Sequence, residues 1–303
     1  MPFQRQFARS SSNGFHGPGA RRNGGPRQAW PVLTAVASLL FLTADAPPDP
    51  PPDVMLMTGL PLIWGEKGAF DLSSRRPTVY YYLIHSFRFT PVDVLDAETL
   101  EGGRLLFLAQ PHRLAPAELA ALDGWIRAGG RALILTDPML TWPSELPPGD
   151  IRRPPPTGLL APLLDHWRLT MDGPEEPSEV EAFWNGRRIV MDSPGRLRSS
   201  SPDCTVAAGG WTALCRLGRG TVRVVADADL LRDSTWAPNG LDRPVADNPA
   251  VVGEWLDRLA GTPRPRPRLA KAAAGGGLVA PALLLALLAA AGIGLLLRRR
   301  RTR

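Results

Sequence analysis

The chain has 303 residues, 44% of them hydrophobic, enough for one large α/β domain with a substantial core. Its formal net charge is +6, but ten arginines lie in the two tails, and residues 47–275 carry 25 Lys+Arg against 28 Asp+Glu, near −3. That balance argues against a basic surface for nucleic acid; the positive charge is topological.

Residues 1–29 form a basic tail with Arg5, Arg9, Arg21, Arg22 and Arg27 and no acid. An apolar run, Trp30–Thr43, comes next and ends in Ala44-Asp45-Ala46, so residues 30–46 read as a signal-anchor or a cleaved signal peptide. Both readings put the main domain outside the cytoplasm. Residues 47–52 are a stiff Pro-rich spacer. The main domain is placed at 53–262, opening with a strand at Asp53–Met57, a helix at Pro77–Phe87 and a strand at Pro91–Leu95. The clearest unit comes next. Arg104–Ala109 is a continuous apolar run, as expected of a strand covered on both faces. A helix then starts at Pro116, with Glu118 in its first turn, a Leu114/Leu119 staple and Gly129-Gly130 as its end. Ala132–Leu135 is a second buried strand, so the spacing predicts a βαβ crossover with parallel neighbours.

Leu159–Trp167 reads as a short amphipathic helix and residues 180–216 as shorter β segments, a small antiparallel extension. Thr221–Ala226 is a buried strand. Asn248 as N-cap and Pro249 in the first turn open a last helix whose Val252, Trp255, Leu256 and Leu259 face inward, and Gly261 closes it. Residues 263–276, rich in Pro and Arg, are expected to be a linker. Leu278–Leu297 is a run of 20 uncharged residues. A helix of that length is about 30 Å long, the hydrocarbon thickness of a bilayer, so 277–297 predicts a transmembrane helix. Arg298–Arg301, within the tail 298–303, mark its cytoplasmic end. The expected location is a bacterial inner membrane, with the main domain periplasmic and the C-terminus cytoplasmic.

Cys204 and Cys215 lie symmetrically about Gly209-Gly210. If that dipeptide is a hairpin turn, the two face each other within disulfide range, and an oxidising compartment favours the bond over two free thiols. Two thiols without a nearby histidine do not suggest a metal site.

The middle of the chain carries one resemblance. Pro116, Glu118, Ala121, Leu122, Asp123, Trp125, Gly129 and Gly130 come after a hydrophobic strand, and a second strand ends in Asp137-Pro138. This order resembles the auxiliary component of gliding-motility-type ABC transport systems, as do the turn Met57-Thr58-Gly59-Leu60-Pro61 and the helix at Leu160–Trp167. The resemblance implies a class I glutamine-amidotransferase-like, flavodoxin-like parallel sheet flanked by helices, tethered to the membrane beside permease and ATPase subunits. It covers 53–170 and, less fully, 221–260. The chain departs from the pattern in being short.

True amidotransferases carry a nucleophilic cysteine on the turn after the strand. Here that turn reads Ala109-Gln110-Pro111-His112, with no nucleophile, so a non-catalytic domain without a cofactor is expected. Parallel sheets bind ligands at their carboxyl edge. Gln110, His112, Asp137, Asp227 and Asp229 come after strands there and are the candidates for a ligand or partner edge. The alternative is local: Asp137 forming a turn with Pro138, and Asp227 and Asp229 capping the next one. The expected function is a membrane-tethered accessory or binding subunit, with the lipid bilayer and an ABC permease and ATPase as partners. A periplasmic hydrolase or metal-dependent enzyme using the same edge, or an envelope structural protein, are the competing readings.

Overall fold

Unbroken burial along the central strands, five residues in succession at Leu105–Ala109, reveals a sheet covered on both faces. The computed structural model describes residues 50–66, 77–240 and 242–269. Its main sheet has seven strands. The first, β1 (Asp53–Thr58), leads through helix α1 (Thr78–Ile84) to the parallel edge strand β2 (Arg88–Pro91). Helix α2 (Ala97–Glu101) leads to β3 (Leu105–Ala109) on the other side of β1, and α3 (Pro116–Arg127) to β4 (Arg131–Leu135). Both pairings are parallel, the second as the βαβ spacing predicts. After a long excursion the chain returns as β11 (Gly220–Val225), parallel to β4. Strands β10 (Thr212–Leu217) and β9 (Cys204–Val206) add to β11 antiparallel, giving the order β2-β1-β3-β4-β11-β10-β9. The fold is a mixed α/β sheet flanked by helices.

Period-two alternation sorts the strand residues between two cores. Val54, Leu56, Phe107 and Leu133 pack on one face with α1 and with α6 (Asn248–Ala260), which comes after the one-turn helix α5 (Asp233–Trp236). Met55, Met57, Leu106 and Ile134 pack with α2, α3 and α4 (Ala161–His166) on the other. Gly220 lets β11 pass close beneath α3, because a Cβ there would sit 1.9 Å from the Ile126 carbonyl oxygen.

The excursion is more divided than the single extension expected. Strands β10 and β9 join the main sheet, whereas β6 (Glu179–Trp184) and β7 (Arg187–Asp192) form a hairpin, and β5 (Leu169–Asp172) and β8 (Arg196–Ser199), on either side of it in the chain, pair as a second two-stranded sheet. Cys204 sits directly opposite Cys215 in the β9–β10 register, and the two are disulfide-bonded.

Two local expectations are corrected. The second strand ends at Pro91 rather than beginning there, since an edge strand tolerates a proline that lacks an N–H. Asn248 is the first helical residue, not the cap. Its amide is drawn inward, accepting from Val190 N (3.0 Å) and donating to Val190 O (2.7 Å) and Leu230 O (2.9 Å), while Asp247 takes the cap position. Gly261 does end α6, in the left-handed region at φ 80°.

The segment after Gly261, expected to be a free linker from 263, is docked as far as Leu269. Asp257, fully buried on α6, accepts from Arg264 Nε (2.9 Å) and Nη2 (2.7 Å) on one oxygen and Arg266 Nε (2.8 Å) on the other. Both guanidinium groups lie over the Phe87 ring, and Leu269 N donates to Asp247 Oδ1. Arg187 donates to the carbonyls of Arg266 and Pro267. Among the described residues no helix is long and apolar enough to cross a membrane. The runs at 30–46 and 277–297 lie outside the described residues.

Candidate functional site

The chain crosses from β1 one way to β2 and the other way from β3 to β4, and the crossover helices change face between them. The carboxyl ends of β1 and β3 therefore flank a topological switch point, where open α/β sheets form a crevice. A cavity of about 340 Å³ lies there. Its floor is the turn Thr58-Gly59-Leu60-Pro61 from β1, and its walls are Pro91–Asp93 after β2, His112-Arg113-Leu114 after β3, and Trp64, Glu66 and Arg152.

The floor is held by local chemistry. Thr58 Oγ1 donates to Ala109 O (2.9 Å) and accepts from Leu60 N (2.9 Å), and Gly59 N donates to Gln110 O (3.1 Å). A Cβ on Gly59 would fall 2.5 Å from Gln110 O and 3.0 Å from Pro155 Cδ, so the two turns interlock only through glycine. Glu118 is structural: its oxygens accept from Leu95 N (3.1 Å) and Ala115 N (2.7 Å), closing the N-terminus of α3. Arg152 forks onto Asp150 at 3.0 and 2.6 Å and holds that carboxyl down at about 2. A second cavity of about 510 Å³, lined by Trp142, Ile151 and Pro154–Pro156, adjoins the first, and His112 lines both.

Of the five residues expected at the edge, only His112 is exposed. Gln110 turns inward at φ 45°, with its amide donating to Asp137 O (3.2 Å) and Pro155 O (3.0 Å) and accepting from Asp137 N (2.7 Å). Asp137, Asp227 and Asp229 are fully buried. Asp137 Oδ1 accepts from Met139 N (2.8 Å), the turn its proline neighbour suggests, and Oδ2 accepts from Ala228 N (2.9 Å). Asp227 accepts from Leu230 N (2.6 Å) and Asp192 N (3.0 Å), capping the turn after β11. Asp229 Oδ2 accepts from Thr141 N (2.7 Å) and lies 2.9 Å from Thr141 Oγ1. The arrangement is the local one: carboxylates tying loops together, inaccessible to a partner.

Crowding three carboxyls away from water favours their neutral forms. Burial, followed by the charge of Asp229, pushes Asp137 up to about 7. Burial, then the charges of Asp137 and Asp229, pushes Asp227 well above the usual carboxylate range, and burial also raises Asp229. Asp192 goes the other way. Burial alone would raise it, but hydrogen bonds from Thr141 (2.8 Å), Arg232 (2.7 Å) and Ser193 (3.0 Å) outweigh that and hold it low. The Thr141 hydroxyl reaches both Asp192 and Asp229 with one hydrogen, which a proton on Asp229 would reconcile. Among the described residues no group of three His, Cys, Asp or Glu is disposed to hold a metal ion.

Trp64, Arg113 and Arg152 line the crevice without standing out in the sequence; the signal that leads to them is the switch point itself, legible once β1 and β3 are taken as neighbours. No protein-family model matches the chain, and no curated protein matches it. Among solved structures it is similar to the mmIFT52 N-terminal domain, at 13% identity over 68% of this chain and 97% of that one, with a TM-score of 0.43. A cytoplasmic protein from Salmonella typhimurium is 10% identical over 70% of this chain and 99% of that one, with a TM-score of 0.44. An exo-β-1,4-mannosidase from Opitutaceae bacterium strain TAV5 is 12% identical over 69% of this chain but only 36% of its own length, with a TM-score of 0.39. Likenesses this distant say nothing about the site.

Proposed function

We propose that the domain is a non-catalytic binding module, the membrane-tethered accessory subunit of an ABC-type, gliding-like transport system. The observation that carries this reading is the interlocking of two turns at the switch-point crevice. Met57–Pro61 and Gln110–Arg113, drawn from the stretches that resemble the gliding-motility-type family, meet there through Gly59 and Gln110. The order β2-β1-β3-β4-β11 supports the flavodoxin-like, amidotransferase-like sheet that the resemblance implies. A cysteine nucleophile is missing from the turn after β3, and the carboxyls along this edge are turned inward. What reaches the surface is a mixed rim of His112, Arg113, Arg152 and the half-exposed Trp64, suited to a protein partner. The run Leu278–Leu297 ending in Arg298–Arg301 would tether the domain to a bacterial inner membrane on its periplasmic side.

The test is an affinity pull-down of the full chain from detergent-solubilised native membranes, with recovered proteins identified by mass spectrometry. A multi-span permease and an ATPase should be recovered with the wild-type chain, and at least about tenfold less with His112→Ala/Arg113→Ala, a variant changed at two exposed rim residues, whose melting temperature should match the wild type. Recovery of the chain alone, from membranes that express such a transporter, would sink the reading.

A further inference from the structure

A buried cation, Arg223, faces the same core as Trp211 and Trp255, and the acid whose charge acts on it, Glu254, is committed to Arg187 and Arg258. Arg223 on β11 is only 8% exposed, yet among the described residues no carboxylate lies within ion-pair distance of it. Its guanidinium lies 4.4 Å from the centroid of the Trp184 ring and 5.8 Å from that of Trp255, within a triad completed by Trp211. Its one hydrogen-bond partner among the described residues is Thr212 Oγ1, at 3.2 Å. That hydroxyl already donates its single hydrogen to Val224 O (2.9 Å), so it can only accept. A guanidinium has five N–H donors, and four remain for whatever occupies the space in front of them.

That space is a cavity of about 500 Å³. Period two on β10 puts Thr212, Leu214 and Arg216 on its wall, while Ala213, Cys215 and Leu217 face the opposite core. Strand β9 supplies Thr205, and the Cys204–Cys215 bond clamps that three-residue edge strand to β10. Arg216 adds a second cation, against one lining acid, the exposed Asp203. Burial has lowered the Arg223 pKa to about 10, so the group stays charged at neutral pH but is poorly solvated. A stacked, preorganised guanidinium with free donors beside a second arginine is suited to planar oxyanions.

We propose that this cavity is an oxyanion-binding site in which Arg223, with Arg216, receives the carboxylate or phosphate group of a small ligand. No lining residue is shared with the switch-point crevice, so this site stands or falls apart from the transport reading.

Trp184 supplies the signal. The full chain in detergent is titrated with inorganic phosphate and separately with benzoate, following tryptophan fluorescence and calorimetric heat at constant ionic strength. Saturable binding of at least one anion is expected, with a Kd of about 1 mM or tighter. Phosphate alone points to a phosphorylated ligand, benzoate alone to a carboxylate. Arg223→Met should weaken binding at least about tenfold. Its melting temperature should be unchanged or higher, because a buried unpaired charge has been removed. Arg223→Lys, which keeps the charge but not the fork, should bind with intermediate affinity and covers the case in which the methionine variant misfolds. Absence of saturable binding up to about 20 mM of either anion would overturn the site, as would a folded Arg223→Met or Arg223→Lys variant that binds as the wild type does.

Discussion

Replacing Asp257 by asparagine removes a single charge and almost no volume, and tests whether the arginine strap is part of the folded domain. In the wild type its carboxylate receives three charge-assisted hydrogen bonds, from Arg264 at 2.9 and 2.7 Å and Arg266 at 2.8 Å. Breaking a buried ion pair from one side costs about 3–5 kcal/mol, chiefly because the surviving charge is left without a partner. The two arginines differ in how far they can escape that cost. The Arg264 side chain is 35% exposed and can turn to water, whereas that of Arg266 is 5% exposed and must either stay desolvated or pull the strap away. The lower end, about 3 kcal/mol, is therefore expected. For a domain of this size that corresponds to a fall in Tm of about 9 °C. The assay is urea and thermal unfolding of the full chain, wild type against Asp257→Asn. The double variant Asp257→Asn/Arg266→Met removes the orphaned cation and should recover at least about 1 kcal/mol relative to Asp257→Asn. A loss below about 1 kcal/mol for the single variant would refute the argument, since the strap would then contribute no more than a surface ion pair.

Two further outcomes are expected. Cys204→Ser/Cys215→Ser should lower unfolding stability by about 3 kcal/mol, the loop-closure entropy of a bridge whose cysteines are 11 residues apart; equal stability of the variant and the oxidised wild type would contradict this. The pH dependence should be inverted relative to ordinary acid denaturation. Asp137 at about 7, with Asp227 and Asp229 also raised from 3.8, means that the folded state binds protons the unfolded chain has released. The contribution of these groups is thus fully present below about pH 4 and is lost as pH climbs toward 7, by up to about 1.4 kcal/mol per pH unit for each proton held. Asp192 and Asp150, both held low, act only below that window. Urea midpoints at pH 5, 6 and 7 should fall in that order; a rising series would show that these carboxyls are ionised in the folded state.

The regions legible in the sequence are those where local chemistry and tertiary packing agree. The uninterrupted apolar β3 and β4 could only be strands covered on both faces, and Gly129-Gly130 leaves little choice about where α3 stops. Edge strand β2 is less legible, because Arg88-Phe89-Thr90 buries little and gives no periodic signal. The strap has the proline and arginine content of a linker, and its docking depends on Asp257, a carboxylate that composition places at the surface and the fold places in the core. The candidate edge shows the same limit. Strand endings identify Gln110, Asp137, Asp227 and Asp229 as neighbours, but whether they face outward depends on contacts far along the chain, such as Pro155 for Gln110, Ala228 for Asp137, Asp192 for Asp227 and Thr141 for Asp229. Arg223 is hidden within the valine-rich strand Gly220–Val225, where a central cation looks like an interruption rather than a site.

The strap also fixes where the chain leaves the domain. Asp53, at the start of β1, and Ala260, at the end of α6, line one cavity at the amino edge of the sheet. From there the chain doubles back until Leu269 meets Asp247, at the opposite end of α6. Thirteen helical residues separate those ends, a span of about 20 Å. The start of β1 and the end of the strap therefore lie at opposite ends of α6 rather than side by side, and the strap brings the two ends of that helix under one segment of chain.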